Sequence, residues 1–108
     1  MIRTVLLAAL LALASPGRAS DLPEFRLVIK NHRFEPAELA VPAGQKIKLL
    51  VENQDATAEE FESYELNREK VVAANATISV FIGPLAPGRY PYFGDFNQAT
   101  AKGTIVAK

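Results

Sequence analysis

Apolar and polar residues alternate with a period of two along most of the chain from residue 22 onward. The clearest run lies at residues 47–52, where Ile47, Leu49 and Val51 alternate with lysine and glutamate. This is the period of a half-buried β-strand, because successive side chains point to opposite faces of a sheet. The same alternation recurs at residues 25–30, 39–41, 78–82, 90–93 and 104–107. The pattern therefore predicts an all-β protein.

Turn-forming residues separate the predicted strands. They lie at residues 42–44 (Pro-Ala-Gly), 53–55 (Asn-Gln-Asp) and 87–88 (Pro-Gly). About seven or eight short strands at this spacing indicate a Greek-key β-sandwich. Only residues 56–70, which are rich in glutamate, leave room for helix, and there the sequence allows at most a short helical turn.

Residues 1–19 have the pattern of a secretory signal peptide. Arg3 supplies a positive charge ahead of an apolar run at residues 5–14, and small residues precede a cleavage point after Ala19, with a cut after Ala14 as the alternative. The run is too short for a membrane-spanning helix, which needs about 20 residues. We therefore expect an exported, periplasmic protein with one domain at residues 20–108, not inserted in the membrane after cleavage.

Charge and cysteine content narrow the function classes. The chain has twelve Asp and Glu and twelve Lys and Arg, and two of the basic residues, Arg3 and Arg18, lie in the predicted signal peptide. The remaining domain is mildly acidic and has no basic run that would indicate binding to nucleic acid. The chain has no cysteine, which excludes disulfide bonds and thiolate metal ligands.

The segment at residues 85–103 carries the strongest local signals. Tyr90 follows a Pro-Gly turn by two residues, which predicts a tyrosine corner, with the ring packed inward and the hydroxyl bonded to nearby backbone. An aromatic strand then breaks at Gly94, and a polar loop leads to the last strand. This loop holds Asp95 and Asn97, which offer oxygen atoms to a cation.

The order of these motifs resembles the cupredoxin family over essentially the whole of residues 20–108. It comprises a Phe-x-Pro turn at 34–36, the segment VPAGQKIKLLVEN at 41–53, the Pro-Gly-x-Tyr corner at 87–90 and a Lys-Gly entry to the last strand. A closer resemblance is to the EfeO-type cupredoxin-like domains of bacterial periplasmic iron-uptake systems. It rests on the segments at residues 60–62, 68–72, 84–90 and 100–103.

The resemblance also indicates where metal ligands would lie. Blue-copper cupredoxins bind copper through a His that follows the Asn-rich turn and through a Cys, a His and often a Met of the final loop. Here Glu59 or Glu60 stands at the place of the first His, Asp95 at or beside that of the Cys, and Asn97 where a His would fit. A type 1 copper site is therefore not expected, because it needs a thiolate and imidazoles. Carboxylate ligands together with one imidazole are compatible with iron ions, with Cu(II) in a site that is not type 1, and with Mn(II) or Zn(II).

Six residues are candidate metal ligands. His32 is the only histidine, and we expect it to meet Asp95 and either Glu59 or Glu60 at one end of the sandwich; Glu62 and Glu69 form a second tier. Each has an alternative interpretation. A single histidine is often an ordinary surface residue, and the acidic residues would also suit a solvated loop or a helix face held by neighbouring Arg and Lys. Against this, Glu60 and Glu62 flank Phe61 at strand spacing, which predicts that both share the face opposite a buried ring.

The functional hypothesis is a periplasmic protein that binds iron or copper. The resemblance implies that it receives Fe(II) from a periplasmic iron-binding protein and passes it to an inner-membrane iron permease. A role in Fe(II) oxidation stays open, but no second redox centre is evident, so binding is favoured over an enzymatic activity. The alternative hypothesis is a metal-free β-sandwich that serves as an interaction or assembly module.

Overall fold

The computed structural model of the protein describes residues 22–108. The predicted signal peptide, residues 1–19, lies outside the described residues. The described part contains nine strands and no helix, so it has no helical segment that could cross a bilayer. The strands are β1 (Glu24–Lys30), β2 (Arg33–Glu35), β3 (Glu38–Val41), β4 (Ile47–Asn53), β5 (Glu59–Ser63), β6 (Arg68–Val72), β7 (Thr77–Ile82), β8 (Gly88–Gly94) and β9 (Lys102–Ala107).

The strands form two sheets, which confirms the predicted all-β sandwich. One sheet has the order β2-β1-β4-β7 and the other the order β3-β9-β8-β5-β6. The pairs β1–β4 and β3–β9 are parallel, and the other neighbours are antiparallel. The sequence predicted about seven or eight strands, of which six were located as alternating runs. The short β2 and the pair β5–β6 add three to these six, so the structure has nine.

The glutamate-rich segment at residues 56–70 forms a β-hairpin rather than a helical turn. Strand β5 pairs antiparallel with β6 through a turn at residues 64–67. The cause lies in β5 itself, where Glu59, Phe61 and Ser63 are buried and the residues between them are partly exposed. This alternation suits a sheet, and burial of the Phe61 ring outweighs the helix propensity of the glutamates.

The core lies between the sheets and consists of the alternating apolar residues of both. Ile47, Leu49 and Val51 of β4 are all buried, as the sequence pattern predicted. Aromatic rings close one part of the core, where the ring of Tyr92 lies 5.0 Å from that of Phe34 and 5.3 Å from that of Phe61 between centroids. These edge-on and tilted contacts fix the inner side of β8 against β5.

The predicted tyrosine corner is confirmed. The hydroxyl of Tyr90 donates a hydrogen bond of 2.7 Å to the carbonyl oxygen of Ala86, and the ring packs against the core. This contact fixes the start of β8, whose other end carries the loop of residues 95–101. Strand β8 thereby holds the loop of residues 95–101, which carries Asp95, in a defined register beside β5.

Candidate metal site

Strand β5 presents two kinds of carboxylate, one on each face. The side chain of Glu59 points into the sandwich and is 1% exposed, whereas Glu60 and Glu62 lie on the outer face and are partly exposed. Phe61, between them, is fully buried, so the two outer glutamates share a face as the strand spacing predicted. A single strand therefore supplies both an interior and a surface acid.

The outer glutamates meet Asp95 from the neighbouring loop. The amide of Asp95 donates a hydrogen bond of 3.0 Å to the carbonyl oxygen of Glu60, which extends the pairing of β8 with β5 by one residue. Glu60, Glu62 and Asp95 each offer a carboxylate oxygen, and the three oxygens lie within 4.8 Å of one another. We call these three residues the carboxylate cluster. Glu69 lies directly opposite Glu62 on β6.

The basic residues nearest to the cluster in sequence point elsewhere. Arg68 Nε donates to the carbonyl oxygen of Phe81 at 3.0 Å, and Lys70 Nζ donates to that of Ser79, also at 3.0 Å. Within residues 22–108 the ion pairs are Arg26–Glu52, Lys48–Glu24 and Arg89–Glu38, and the ring of His32 lies beside Asp55. None of them includes a residue of the cluster, so the negative charges face one another without a cationic side chain.

The surroundings of the two outer glutamates raise their pKa values. The pKa of Glu60 is raised to about 7, chiefly by partial desolvation. Hydrogen bonding with Glu69 and the negative charges of Glu69 and Asp95 add to this shift. Desolvation and the same two charges also raise the pKa of Glu62. A proton or a bound cation would stabilise such an arrangement. The cluster can therefore bind a hard or borderline cation through oxygen atoms.

Glu59 is held in a different way, because backbone and amide groups donate to its carboxylate. Oε1 accepts hydrogen bonds from the amides of Glu60 at 2.9 Å and Phe96 at 2.8 Å, and Oε2 accepts one of 2.7 Å from Nδ2 of Asn97. Both oxygens thus have donors from the protein. The structure places this candidate ligand beneath the loop that carries Asp95, and not among the three carboxylates of the cluster.

His32 also has a local role. The amides of Asn31 and His32, both at positive φ in the turn between β1 and β2, donate to the carboxylate of Asp55 at 2.8 and 2.9 Å. The ring Nδ1 of His32 lies 3.5 Å from Asp55 Oδ2. The backbone carbonyl oxygen of His32 accepts a hydrogen bond of 2.5 Å from the hydroxyl of Thr100, which connects this turn to the loop of residues 95–101. Among the described residues, the group with ligand geometry does not include His32.

Of the six candidate ligands, the structure therefore brings together Glu60, Glu62 and Asp95 and places Glu69 beside them. Two further residues have roles that the sequence did not indicate: Asn97 as a donor to Glu59, and Asp55 as an acceptor for the β1–β2 turn. An Asp two residues after a strand's last Asn is a common turn signal. It indicated a turn at residues 53–55, but not which distant turn the carboxylate would bind.

The residues at this end of the sandwich do not fit a type 1 copper ion. The chain has no cysteine, and Glu59 and Asn97, which occupy two of the places that the resemblance assigned to copper ligands, are hydrogen-bonded to each other. A site of that type takes its character from a thiolate sulfur with two imidazoles. The donor set present here consists of carboxylates on the outer face of the sheet.

Comparison with known proteins agrees with this fold. Over 92 residues the chain is 45% identical to an uncharacterized protein of Rickettsia prowazekii (strain Madrid E), an alignment that covers 84% of this chain and 74% of the relative. Among solved structures, auracyanin A, a "blue" copper protein from Chloroflexus aurantiacus, is similar with a TM-score of 0.68 and 16% identity over 79% of this chain and 98% of that one. Amicyanin from Paracoccus versutus is similar with a TM-score of 0.63 and 15% identity over 83% of this chain and 88% of that one.

At these identities the solved structures show a shared fold. The family itself is shown by sequence, since the model of the "Cupredoxin-like domain" matches residues 3–107. Because this match extends over nearly the whole sequence, the chain belongs to the cupredoxin-like domain family.

Proposed function

We propose that this protein binds a divalent metal ion through the carboxylate cluster of Glu60, Glu62 and Asp95. The observation that carries the proposal is the approach of the three carboxylate oxygens to within 4.8 Å of one another, with no cationic side chain paired to them in residues 22–108. A cation bound between them would offset the desolvation and the charge repulsion that raise the pKa of Glu60 and Glu62. Glu69, opposite Glu62, supplies a fourth carboxylate at the edge.

The chemistry of the donors limits the choice of metal. Oxygen ligands alone select hard and borderline cations such as Mn(II), Fe(II) and Fe(III), and they do not favour Cu(I). Copper in the Cu(II) state is compatible with carboxylates and is the metal of the blue members of this fold. Iron is our first choice for the native cargo, on the basis of the resemblance to EfeO-type iron-uptake domains.

The biological setting is the finer part of the proposal and rests on that resemblance and on the signal-peptide pattern. We place the protein in the periplasm, where it would receive iron from a periplasmic iron-binding protein and release it to an inner-membrane iron permease. A partly exposed site of carboxylates suits transfer, because the ion stays accessible to a partner's ligands. We assign the protein a binding role rather than an enzymatic one.

The test is calorimetric titration of the purified protein with Mn(II), Fe(II) under anaerobic conditions, and Cu(II), at pH 8. We expect one site with a dissociation constant of about 1 μM or tighter, equivalent to about −8.2 kcal/mol. Asp95→Ala should weaken binding at least tenfold, about 1.4 kcal/mol, because one of three ligands is removed. Binding should also weaken below pH 7, since protons compete for Glu60.

Glu65→Gln is the matched control, because Glu65 lies in the exposed turn of the same hairpin and outside the cluster. It removes one negative charge and should leave the affinity within twofold of the wild type. Equal weakening by both variants would show that only general electrostatic attraction operates. No binding of any of the three ions would favour a second function, that of a metal-free interaction module.

A further inference from the structure

The loop of residues 95–101 is joined to the inner side of β5 through the buried carboxylate of Glu59. Among the hydrogen bonds of the described residues, no other side chain makes this connection. Its three donors come from two places: the amide of Glu60 on β5, and the amide of Phe96 and side chain of Asn97 in the loop. Hydrogen bonds to a charged acceptor are stronger than those between neutral groups. The loop is therefore anchored from beneath by an interior anion.

The packing around Glu59 is as close as the hydrogen bonding. A Cβ atom added at Gly94 would lie 2.6 Å from Cδ of Glu59 and 2.7 Å from Cβ of Ala101. Glycine at this position leaves the space that the carboxylate occupies. Glu59 is thus fixed by its neighbours as well as by its donors, and a buried side chain so constrained has one position.

Asp95 lies between two residues that contact Glu59, the last residue of β8 and the second residue of the loop. The residue before it, Gly94, packs against the Glu59 carboxylate, and the residue after it, Phe96, donates to that carboxylate. The amide of Asp95 itself is bonded to β5 at the carbonyl oxygen of Glu60. The backbone of Asp95 is therefore fixed on three sides, and its carboxylate is directed to the outer face next to Glu60 and Glu62.

We infer that Glu59 is a positioning residue for the carboxylate cluster: it acts from inside the sandwich, without touching the ion, and holds Asp95 where it can serve as a ligand. This inference rests on the proposed metal-binding function. It assigns to the interior glutamate a role different from that of the ligands on the outer face, although only one peptide bond separates Glu59 from Glu60. Asn97 is the partner through which the role can be tested.

The experiment is a pair of single substitutions and their combination, with Mn(II) as the probe. Glu59→Gln removes the interior charge, and its amide nitrogen is satisfied only if the Asn97 amide turns to present Oδ1, so neutral hydrogen bonds replace the charged ones. Asn97→Asp places two carboxylates against each other. The double variant Glu59→Gln/Asn97→Asp restores an amide–carboxylate contact with reversed polarity and leaves the number of charges unchanged. We expect Asn97→Asp to weaken Mn(II) binding at least fivefold, Glu59→Gln to weaken it by a smaller factor, and the double variant to bind within twofold of the wild type.

Hydrogen exchange of the Phe96 amide provides a readout that does not depend on metal. Its protection should fall most in Asn97→Asp, less in Glu59→Gln, and return in the double variant. If the wild type binds no Mn(II) but exchange follows this pattern, the proposed function fails while the anchoring of the loop by Glu59 stands. If exchange protection is lost and Mn(II) affinity is unchanged, Glu59 does not position the cluster.

Two other results would also overturn the inference. Unchanged exchange in both single variants would show that the loop does not depend on Glu59. Loss of Mn(II) binding in Glu59→Gln that the double variant does not restore would make Glu59 a ligand itself. If Glu59→Gln alone fails to fold, the comparison of Asn97→Asp with the double variant still tests the rescue.

Discussion

The two faces of strand β5 show how the same chemical group leads to opposite outcomes. On the inner face, the carboxylate of Glu59 is 1% exposed and receives three hydrogen bonds from amide groups. On the outer face, Glu60 and Glu62 are more exposed, yet their neighbours are other carboxylates. The inner acid is stabilised by protein donors, whereas a proton or a bound cation would stabilise the outer acids. Burial alone therefore does not decide whether a carboxylate is available for binding.

A third carboxylate, that of Asp55, extends the comparison. Backbone hydrogen bonds from His32 and Asn31 and the nearby His32 ring lower the pKa of Asp55, although burial acts in the opposite direction. Like Glu59, Asp55 is an acceptor that organises a turn. The pKa of Glu60 is instead raised to about 7 by desolvation and by its acidic neighbours. In this protein, the carboxylates that accept hydrogen bonds from amides have structural roles. The carboxylates that lie near other carboxylates form the candidate site.

The largest effect that we expect comes from filling the space beside the inner carboxylate. Gly94→Ala places a methyl group 2.6 Å from Cδ of Glu59 and 2.7 Å from Cβ of Ala101. Because overpacking in an interior forces neighbouring atoms to shift, the free energy of unfolding should fall by about 3 kcal/mol, as measured by urea denaturation. Gly88→Ala is the control, since its added methyl would meet nothing closer than 3.7 Å. Equal losses in the two variants would show that the space beside Glu59 is not tightly occupied.

A smaller effect is expected at the structural acid of the β1–β2 turn. Asp55→Asn replaces one acceptor oxygen by a donor that faces a backbone amide, so the unfolding free energy should fall by about 2 kcal/mol at pH 7. The pKa of Asp55 is lowered in the folded protein, so its contribution is present above the unfolded value of 3.8. It is lost as the pH falls through the folded pKa. The difference between wild type and variant should therefore shrink in acid, and a difference independent of pH would contradict this account.

The smallest effect concerns the outer acids in metal-free protein. The pKa of Glu60 rises from 4.5 to about 7 on folding, so the protonated form stabilises the folded state. The stability from this group is fully present below pH 4.5 and is lost as the pH rises through about 7. Glu60→Gln should reduce this loss, which thermal melts with a chelator at pH 5 and pH 8 would measure. A wild type and a variant with the same pH dependence would show that the outer carboxylates do not repel one another.

The sequence predicted most of the fold because the fold depends on local, repeated signals. The alternation of Ile47, Leu49 and Val51 and the spacing of Tyr90 after its turn were sufficient to predict a strand and a corner, and both are present. The sequence placed Glu60 and Glu62 at strand spacing around Phe61, but it did not delimit β5 as a strand, because the glutamate-rich segment also suited a helix or a loop. Its one strongly apolar residue, Phe61, has to be paired with β6 and β8 before the strand becomes evident.

The candidate site was predictable in its residue types but less so in its grouping. Glu60 and Glu62 follow from strand spacing, and Asp95 follows from the position of the last loop. The separation of Glu59 from Glu60 depends on which face of β5 each residue takes, and the sequence left that alternative open. The pairing of His32 with Asp55 depends on a contact 23 residues apart in the chain, for which no local pattern exists.

Arg68 and Lys70 donate hydrogen bonds to the backbone of β7, and these contacts affect self-association of the protein. Strand β7 is the outermost strand of its sheet, and the oxygens of Ser79 and Phe81 are the groups to which an incoming extended segment would bind. Both oxygens already accept hydrogen bonds from these long basic side chains, so another chain would have to displace two cations before it could add a strand. The contacts that engage Arg68 and Lys70, and so leave Glu60, Glu62 and Glu69 without an ion pair among the described residues, thus also protect this sheet edge from aggregation.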